Sequence, residues 1–414
     1  MAMTMLITSL SITLHAFATP DIERVHLQGH TTAAEFNCPT VRERQREVTT
    51  SRVKLQSFEN ESMDSMPMPI RSTRMAASPL TIGLWGDSHT ASGTFTDSLL
   101  HALQLSHQKA YPSFIAPTFT LKGIRHPVRR ACLSDDWQLA LAYRSPTEGS
   151  AIYAKSMAAV FTEQAGAFLW LDFRSQDLKT RVKWADIHFE KDHAERTLVL
   201  GISVNDDAET MVNLSSTSRR VRISADQAFA TLRIRVIAGQ IRIHGIAPVY
   251  ETKPQVILDV FSIPGATSKS WRVADTSYLR REETLDNGYD VVILQSGTNE
   301  SLDPDFKSNV YGSQLNTSIA RLKKVYPRAN CILIGPPDTK RTQNNVRLIN
   351  DIQMQQASAH GCQYWNWQKF MGGPGASARW LDRGWMQSDL VHMTPMGYEQ
   401  SAYNLAKMVN FKPR

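Results

Sequence analysis

The sequence predicts an α/β protein in two unequal parts. A three-layer α/β/α unit on a parallel sheet is interrupted by an inserted all-β sandwich of jelly-roll type. Two observations carry this reading, and a third places a site on it. Strand-length apolar runs alternate with helix-period patterns over residues 80–103 and again over 255–409, as expected of parallel strands covered on both faces. Between them, residues 221–223, 232–236 and 241–244 alternate apolar side chains with Arg or His, the period of two of half-buried strands. Finally, a serine and an asparagine stand just past apolar runs, where open parallel sheets bind ligands, and an Asp-His pair stands just before the last helix.

Taken in order, the first 18 residues hold no Asp, Glu, Lys or Arg, are mostly apolar from Met5 to Phe17, and end in Ala16-Phe17-Ala18. That small-x-small ending predicts a signal peptide, residues 1–18. Residues 19–78 are polar and charge-balanced and read as a partly ordered N-terminal segment. Leu80 to Trp85 is a buried strand, followed by a Gly86-Asp87-Ser88-His89 turn and a helix marked by Phe95, Leu99 and Leu103. Residues 122–252 are the inserted sandwich, with Ala238-Gly239-Gln240 as a hairpin turn between two of its strands. The α/β unit then resumes. Gln255–Phe261, Val291–Leu294 and Cys331–Ile334 are strands. Tyr311, Leu315, Ile319 and Leu322 mark a helix ending near Pro327. Tyr398, Ala402, Leu405 and Val409 mark the last helix, with Thr394 as N-cap and Pro395 at its first position. The α/β unit is therefore discontinuous, 79–121 plus 253–414.

At 414 residues the chain exceeds one compact domain. Its 42% hydrophobic and 21% charged residues are those of an ordinary globular protein. The net charge of +7 is spread along the chain without a Lys/Arg block. That fits mild attraction to an anionic polymer and argues against dedicated nucleic-acid binding. Beyond the N-terminus no run reaches the roughly 18 apolar residues of a membrane span. No Cys/His cluster suggests a metal, and none is expected. The cysteines Cys38, Cys132, Cys331 and Cys362 permit three pairings, which sequence leaves open. Cys331 and Cys362, each beside a strand, also fit buried thiols.

The chemistry-bearing residues fall in three blocks. Ser88 projects from a strand-to-helix turn, where backbone N–H groups and a partial positive charge favour the alkoxide character that attack requires. Asp389-Leu390-Val391-His392 places a carboxylate near an imidazole; the aspartate can hold Nδ1–H and leave Nε2 to take the serine proton. Asn299, in Gly297-Thr298-Asn299-Glu300 after a buried strand, supplies an amide donor for a developing oxyanion. Alone, each is an ordinary turn or loop residue; together, in the order Ser…Asp…His, they are the parts of an acyl-transfer site.

These blocks resemble the SGNH (GDSL-type) hydrolase superfamily. Gly86-Asp87-Ser88-His89 matches its nucleophile block, Gly297-x-Asn299 its asparagine block and Asp389-x-x-His392 its final block. For the glycine block, Gly265 in Ile263-Pro264-Gly265-Ala266-Thr267 is the best match. Within the superfamily the chain looks most like bacterial peptidoglycan O-acetylesterases, which are exported and carry a carbohydrate-binding-module-like β-sandwich inserted in the hydrolase domain. The resemblance implies Ser88, Asp389 and His392 as catalytic residues, and Ser88, Gly265 and Asn299 as the oxyanion hole. It implies no cofactor, O-acetylated peptidoglycan or a similar polysaccharide as substrate (the muramic acid C6 ester), and a location in the periplasm or at the outer membrane of a Gram-negative bacterium. Trp380 and Trp385, near Asp389, are candidates for packing on a sugar ring, although plugging the domain surface is the simpler reading. Arg379 and Arg383 are candidates for a sugar or peptide carboxylate on the same terms.

Two other readings use the same residues. An O-acetyltransferase, or an esterase for another acetylated polysaccharide, would keep the triad; the transferase would seat an acceptor hydroxyl in place of water. A cell-wall-binding protein with a vestigial hydrolase domain would be marked by a lost catalytic residue, and none is lost here.

Overall fold

The computed structural model describes residues 22–27, 78–105, 110–145, 152–174, 178–191, 197–214, 219–339 and 342–409. The expected signal peptide lies outside them, as does most of the N-terminal segment.

The α/β part is a six-stranded sheet whose strands lie in the order Gln363–Trp365, Asn330–Ile334, Val291–Gln295, Leu80–Trp85, Val256–Val260, Ala110–Tyr111, all paired in parallel. Continuous apolar runs form these strands because both faces are covered, and alternate residues point to opposite layers. Ile82, Leu84, Val291, Ile293, Ile332 and Ile334 face one layer, packed with helices Thr94–Ala102 and Pro395–Val409. Trp85, Val292, Leu294 and Leu333 face the other, packed with helices Ser308–Val325 and Gln343–His360. The chain visits the sheet on one side of Leu80–Trp85 at Val256–Val260, then crosses to the other side at Val291–Gln295. Leu80–Trp85 is thus the strand at which the strand order reverses, and open α/β sheets bind ligands past the carboxyl end of such a strand.

The β part consists of two mixed or antiparallel sheets. One runs Ile22–Leu27, Arg220–Phe229, Val182–Glu190, Ile241–Tyr250, Ala158–Thr162, Gln138–Leu141. The other runs Thr210–Leu214, Leu198–Val204, Thr231–Ala238, Phe168–Asp172, Arg130–Leu133. The alternation read from sequence puts Val221, Ile223, Leu232, Ile234, Val236, Ile241 and Ile243 into the core between them. This β part lies in the chain between strands of the parallel sheet.

Four details differ from the sequence reading. Strands Thr231–Ala238 and Ile241–Tyr250 belong to different sheets, so the turn at 238–240 carries the chain across the sandwich and is not a hairpin; a tight turn serves a sandwich corner as well as a sheet edge. Residues 22–27, assigned to a partly ordered segment, form a parallel edge strand on Arg220–Phe229. A two-residue edge strand, Ala110–Tyr111, precedes the insert, so Val256–Val260 is the third strand of the parallel sheet to be laid down. Cys331 and Cys362 are bonded to each other; they sit at the margins of two neighbouring parallel strands, which brings their Cα atoms to 4.7 Å. Cys132 is disulfide-bonded too, and Cys38 lies outside the described residues.

No helix among the described residues is long and apolar enough to cross a membrane.

Candidate active site

The strand Leu80–Trp85 ends on Gly86, where a side chain cannot fit: a Cβ would stand 2.2 Å from Thr90 Oγ1 and 2.8 Å from Gln295 Oε1. This close packing turns the chain sharply into the helix Ser88–Ala91. Asp87 caps that helix, its Oδ1 accepting from His89 N at 2.9 Å, and its own N–H donates to Gln295 Oε1 at 2.8 Å. Asp87 is fully buried, and burial raises its carboxyl pKa against the lowering effect of these and neighbouring groups. Ser88, at the helix start, is half-buried.

The structure brings together Ser88, His392 and Asp389. Ser88 Oγ lies 2.9 Å from His392 Nε2, and His392 Nδ1 lies 2.7 Å from Asp389 Oδ2. An ionised carboxylate only accepts, so the proton sits on Nδ1 and Nε2 is left to accept the serine hydroxyl. The other carboxylate oxygen, Oδ1, accepts the backbone N–H groups of Val391 and His392, each at 2.9 Å. This fold-back is allowed by Leu390, which takes φ +56°. Partial burial alone would raise the Asp389 carboxyl; the His392 ring and the two amides outweigh it and hold it below the usual carboxylate range.

Beneath the pair, Gln387 N donates to His392 O, and Met386 bridges Met393, closing a short loop that presents Asp389 and His392 together. Trp380 and Trp385 support this loop. They are 2% and 8% exposed, meet edge-on with centroids 5.4 Å apart, and pack with Trp365, Trp367 and Met393. The reading of these two rings as a sugar platform is therefore corrected: their faces are spent on the core, because the loop above them needs an apolar base. Arg379 donates to the carbonyls of Gly372 and Gly375, and Arg383 stacks over the Trp385 ring at 5.3 Å.

The remaining candidates lie on two neighbouring loops. Gly265 has φ +82° and is exposed. Its loop is tied to the nucleophile turn by Ile263 N donating to Gly86 O at 3.0 Å and by the Thr90 and Ser262 hydroxyls at 2.7 Å. Asn299 stands on the helix Thr298–Ser301 past the strand Val291–Gln295, and its Nδ2 donates to Ala266 O at 2.8 Å. One N–H of that amide is thus engaged on the Gly265 loop, leaving the other.

Three supporting residues escaped the sequence reading. Glu300 clamps the two loops, its Oε1 accepting from Ser268 N at 2.8 Å and its Oε2 from Gly297 N at 3.0 Å; a glutamate three residues past a helix-capping position is a readable signal. Gln295, almost fully buried, fixes Asp87 and has no sequence signal beyond ending a strand. His89 is fully buried, its Nδ1 3.1 Å from Tyr398 Oη and its ring 5.5 Å from that of His392. Burial first, then the charge of His392, lowers the His89 pKa to about 3.

No group of three or more His, Cys, Asp or Glu among the described residues is arranged to hold a metal ion.

Residues 244–400 match the model of the GDSL-like Lipase/Acylhydrolase family. Ser88 lies outside the matched segment. Among solved structures, the chain is similar to one described as a peptidoglycan O-acetylesterase in action, with 21% identity, 80% of this chain and 90% of that chain covered, and a TM-score of 0.61. It is more distantly similar to a psychrotrophic esterase, EstA, from Pseudoalteromonas sp. (16% identity, 38% and 78% covered, TM-score 0.30). A family two carbohydrate esterase from Clostridium thermocellum stands at a similar distance (8% identity, 67% and 97% covered, TM-score 0.29). No curated protein matches the chain. The matched segment fills the parallel sheet from its third strand onward, so residues 244–400 are similar to a GDSL-like acylhydrolase on an SGNH-type α/β fold, and these likenesses support a hydrolase of ester bonds.

Proposed function

We propose that the chain is an exported serine esterase that removes O-acetyl groups from peptidoglycan, at the C6 oxygen of muramic acid. In this reading residues 79–121 plus 253–414 are the hydrolase and 122–252 a carbohydrate-binding-module-like insert. The observation that carries the chemistry is the hydrogen-bonded chain Ser88–His392–Asp389, at 2.9 Å and 2.7 Å. The choice of substrate is supported by the solved peptidoglycan O-acetylesterase that shares the fold over most of both chains.

Ser88 Oγ attacks the acetyl carbonyl carbon as His392 Nε2 takes its proton, with Asp389 holding the imidazolium that forms. The tetrahedral oxyanion accepts from the backbone N–H groups of Ser88 and Gly265 and from the free N–H of Asn299 Nδ2. The bond from the acetyl carbon to the sugar oxygen breaks, and His392 returns its proton to that oxygen. A water then gives a proton to His392 and attacks the acetyl-Ser88 ester. Acetate leaves, and Ser88 Oγ regains the proton. The residues supply the whole sequence with acid–base chemistry.

One observation favours hydrolysis over transfer to a second hydroxyl. The His392 and Asp389 side chains are 37% and 44% exposed, so water reaches the base directly, whereas a transferase must keep water from the acetyl-enzyme. The test is acetate release from O-acetylated peptidoglycan. Release by wild type and none by Ser88→Ala is expected. Ser88-dependent hydrolysis of p-nitrophenyl acetate without release from peptidoglycan would retain the triad and move the substrate elsewhere.

A further inference from the structure

We propose that Tyr143 and Arg144, contributed by the β insert, form a subsite for a carboxylate-bearing sugar at the rim of the active site. The inference rests on the reading of the site as one for sugar esters, and names what the sugar must carry.

The segment Ala142–Arg144 follows the strand Gln138–Leu141 and leans against the loop that presents Gly265. A small apolar cluster joins the two parts there: Leu141 and Ala158 from the insert pack with Ile263 and Ala266, and Leu139 and Tyr143 close over them. Tyr143 Oη donates to Pro264 O at 3.3 Å, one residue before Gly265. A Cβ placed on Gly265 would lie 3.3 Å from the same oxygen. The insert therefore sets the position of the glycine proposed to bind the oxyanion, and Tyr143 is a positioning residue.

Arg144 extends this arrangement into solvent. Its Nε donates to Tyr143 Oη at 3.1 Å, and its guanidinium carbon lies 5.4 Å from the centre of the Tyr143 ring. The side chain is exposed, yet held at its stem. Its two terminal nitrogens have no hydrogen-bond or carboxylate partner among the described residues. A guanidinium fixed through Nε presents a planar pair of donors, the geometry that takes a carboxylate bidentately. Two hydrogen bonds, through Tyr143 Oη, link this cation to the Pro264 carbonyl, one residue before Gly265. An ordinary solvated arginine would need neither the tyrosine hydroxyl nor the ring beneath it.

The test reads binding without catalysis. Ligand-observed NMR titration of the full chain compares N-acetylmuramic acid with N-acetylglucosamine, which lacks the lactyl carboxylate. Wild type is expected to bind the acid on the order of 10-fold more tightly, as one charge-assisted bidentate contact provides. The preference should shrink as salt rises, fall to parity in Arg144→Gln, and persist in part in Arg144→Lys. Equal or absent binding of the two sugars by wild type, or an undiminished preference in Arg144→Gln, overturns the proposal. The esterase reading fails by a different result, the absence of acetate release from peptidoglycan by wild type.

Discussion

The two parts of the molecule handle buried polar groups in opposite ways. At the carboxyl ends of the parallel strands, Ser88, His392 and Asp389 are satisfied by one another and open to water. Where the β insert meets the α/β part, polar groups are sealed in. Lys155 of the insert is 4% exposed; its Nζ lies 2.9 Å from Glu283 Oε1 and 3.7 Å from Asp259 Oδ2. Asp259, on the strand Val256–Val260, also accepts from the amides of Ser113 and Phe114 and from the Ser113 and Tyr289 hydroxyls. Around this knot Phe114, Tyr153, Met157 and Ala247 share one apolar core with Trp85, Phe261, Trp271 and Tyr278. The first region keeps its groups ready to exchange protons; the second uses charge to fix one docking of the two parts. The insert is accordingly fused to the hydrolase, and the comparison can be broken at either end.

The largest effect belongs to the open region. Ser88→Ala should lower kcat on p-nitrophenyl acetate by about 10⁴-fold or more while leaving the urea midpoint unchanged, since Ser88 is half-buried and its hydroxyl is hydrogen-bonded to His392, itself open to solvent. A large fall in midpoint would mean that the triad also holds the fold.

Next is the sealed region, where the prediction is reversed. Lys155→Met should cost about 3–5 kcal/mol in urea unfolding, because it strands the Glu283 and Asp259 carboxylates without their counter-charge. Adding Glu283→Gln should recover part of that loss, as a coupled pair requires. The wild-type protein should unfold in one transition reported alike by the insert and the hydrolase; two separated transitions would show that the shared core does not join them.

Between these lies Asn299→Ala. In the proposed mechanism this removes one oxyanion donor and should lower kcat by about 10²–10³-fold. Here the substitution also frees the Ala266 carbonyl, so kcat should fall with KM little changed. A change confined to KM would assign Asn299 to substrate binding.

How much of this was legible in the sequence follows the same division. The strands Leu80–Trp85 and Val291–Gln295 were readable because burial on both faces demands unbroken apolar runs. Ser88, Asp389 and His392 were readable because their spacing and order reflect one chemical arrangement. The helix Gln343–His360 was not. Its buried side carries Gln353 beside Val346, Ile349 and Ala357, and the Gln353 amide donates to Ser296 O and Tyr311 Oη, a polar role that breaks the apolar period. Tyr143 had no motif, since its meaning comes from a loop more than a hundred residues away in the chain. The tryptophans before Asp389 show the converse: an aromatic cluster in sequence does not say whether its faces meet a ligand or one another, and here Trp380 and Trp385 meet one another.

The smallest effect sharpens the comparison, because it concerns a sealed group inside the open region. His89 touches the triad ring yet is fully buried, with Nε2 unpartnered and its pKa lowered to about 3. In the unfolded chain a histidine titrates near 6.5. Between about 3 and 6.5 the unfolded state therefore binds the extra proton, so this residue makes stability fall as pH falls through that window, and contributes no such loss above it. Asn at this position keeps a polar atom near Tyr398 Oη and cannot titrate. From pH 7.5 to pH 5, wild type should lose about 2 kcal/mol more than His89→Asn in urea unfolding. Buried His188 and His244, whose pKa values burial also lowers, remain in both proteins and cancel from the difference. Equal acid losses in the two would mean that His89 is protonated in the folded protein. The imidazolium would then stand against His392 and oppose the charge that the triad must develop, so the buried histidine beside the nucleophile has to stay neutral for the open histidine to work.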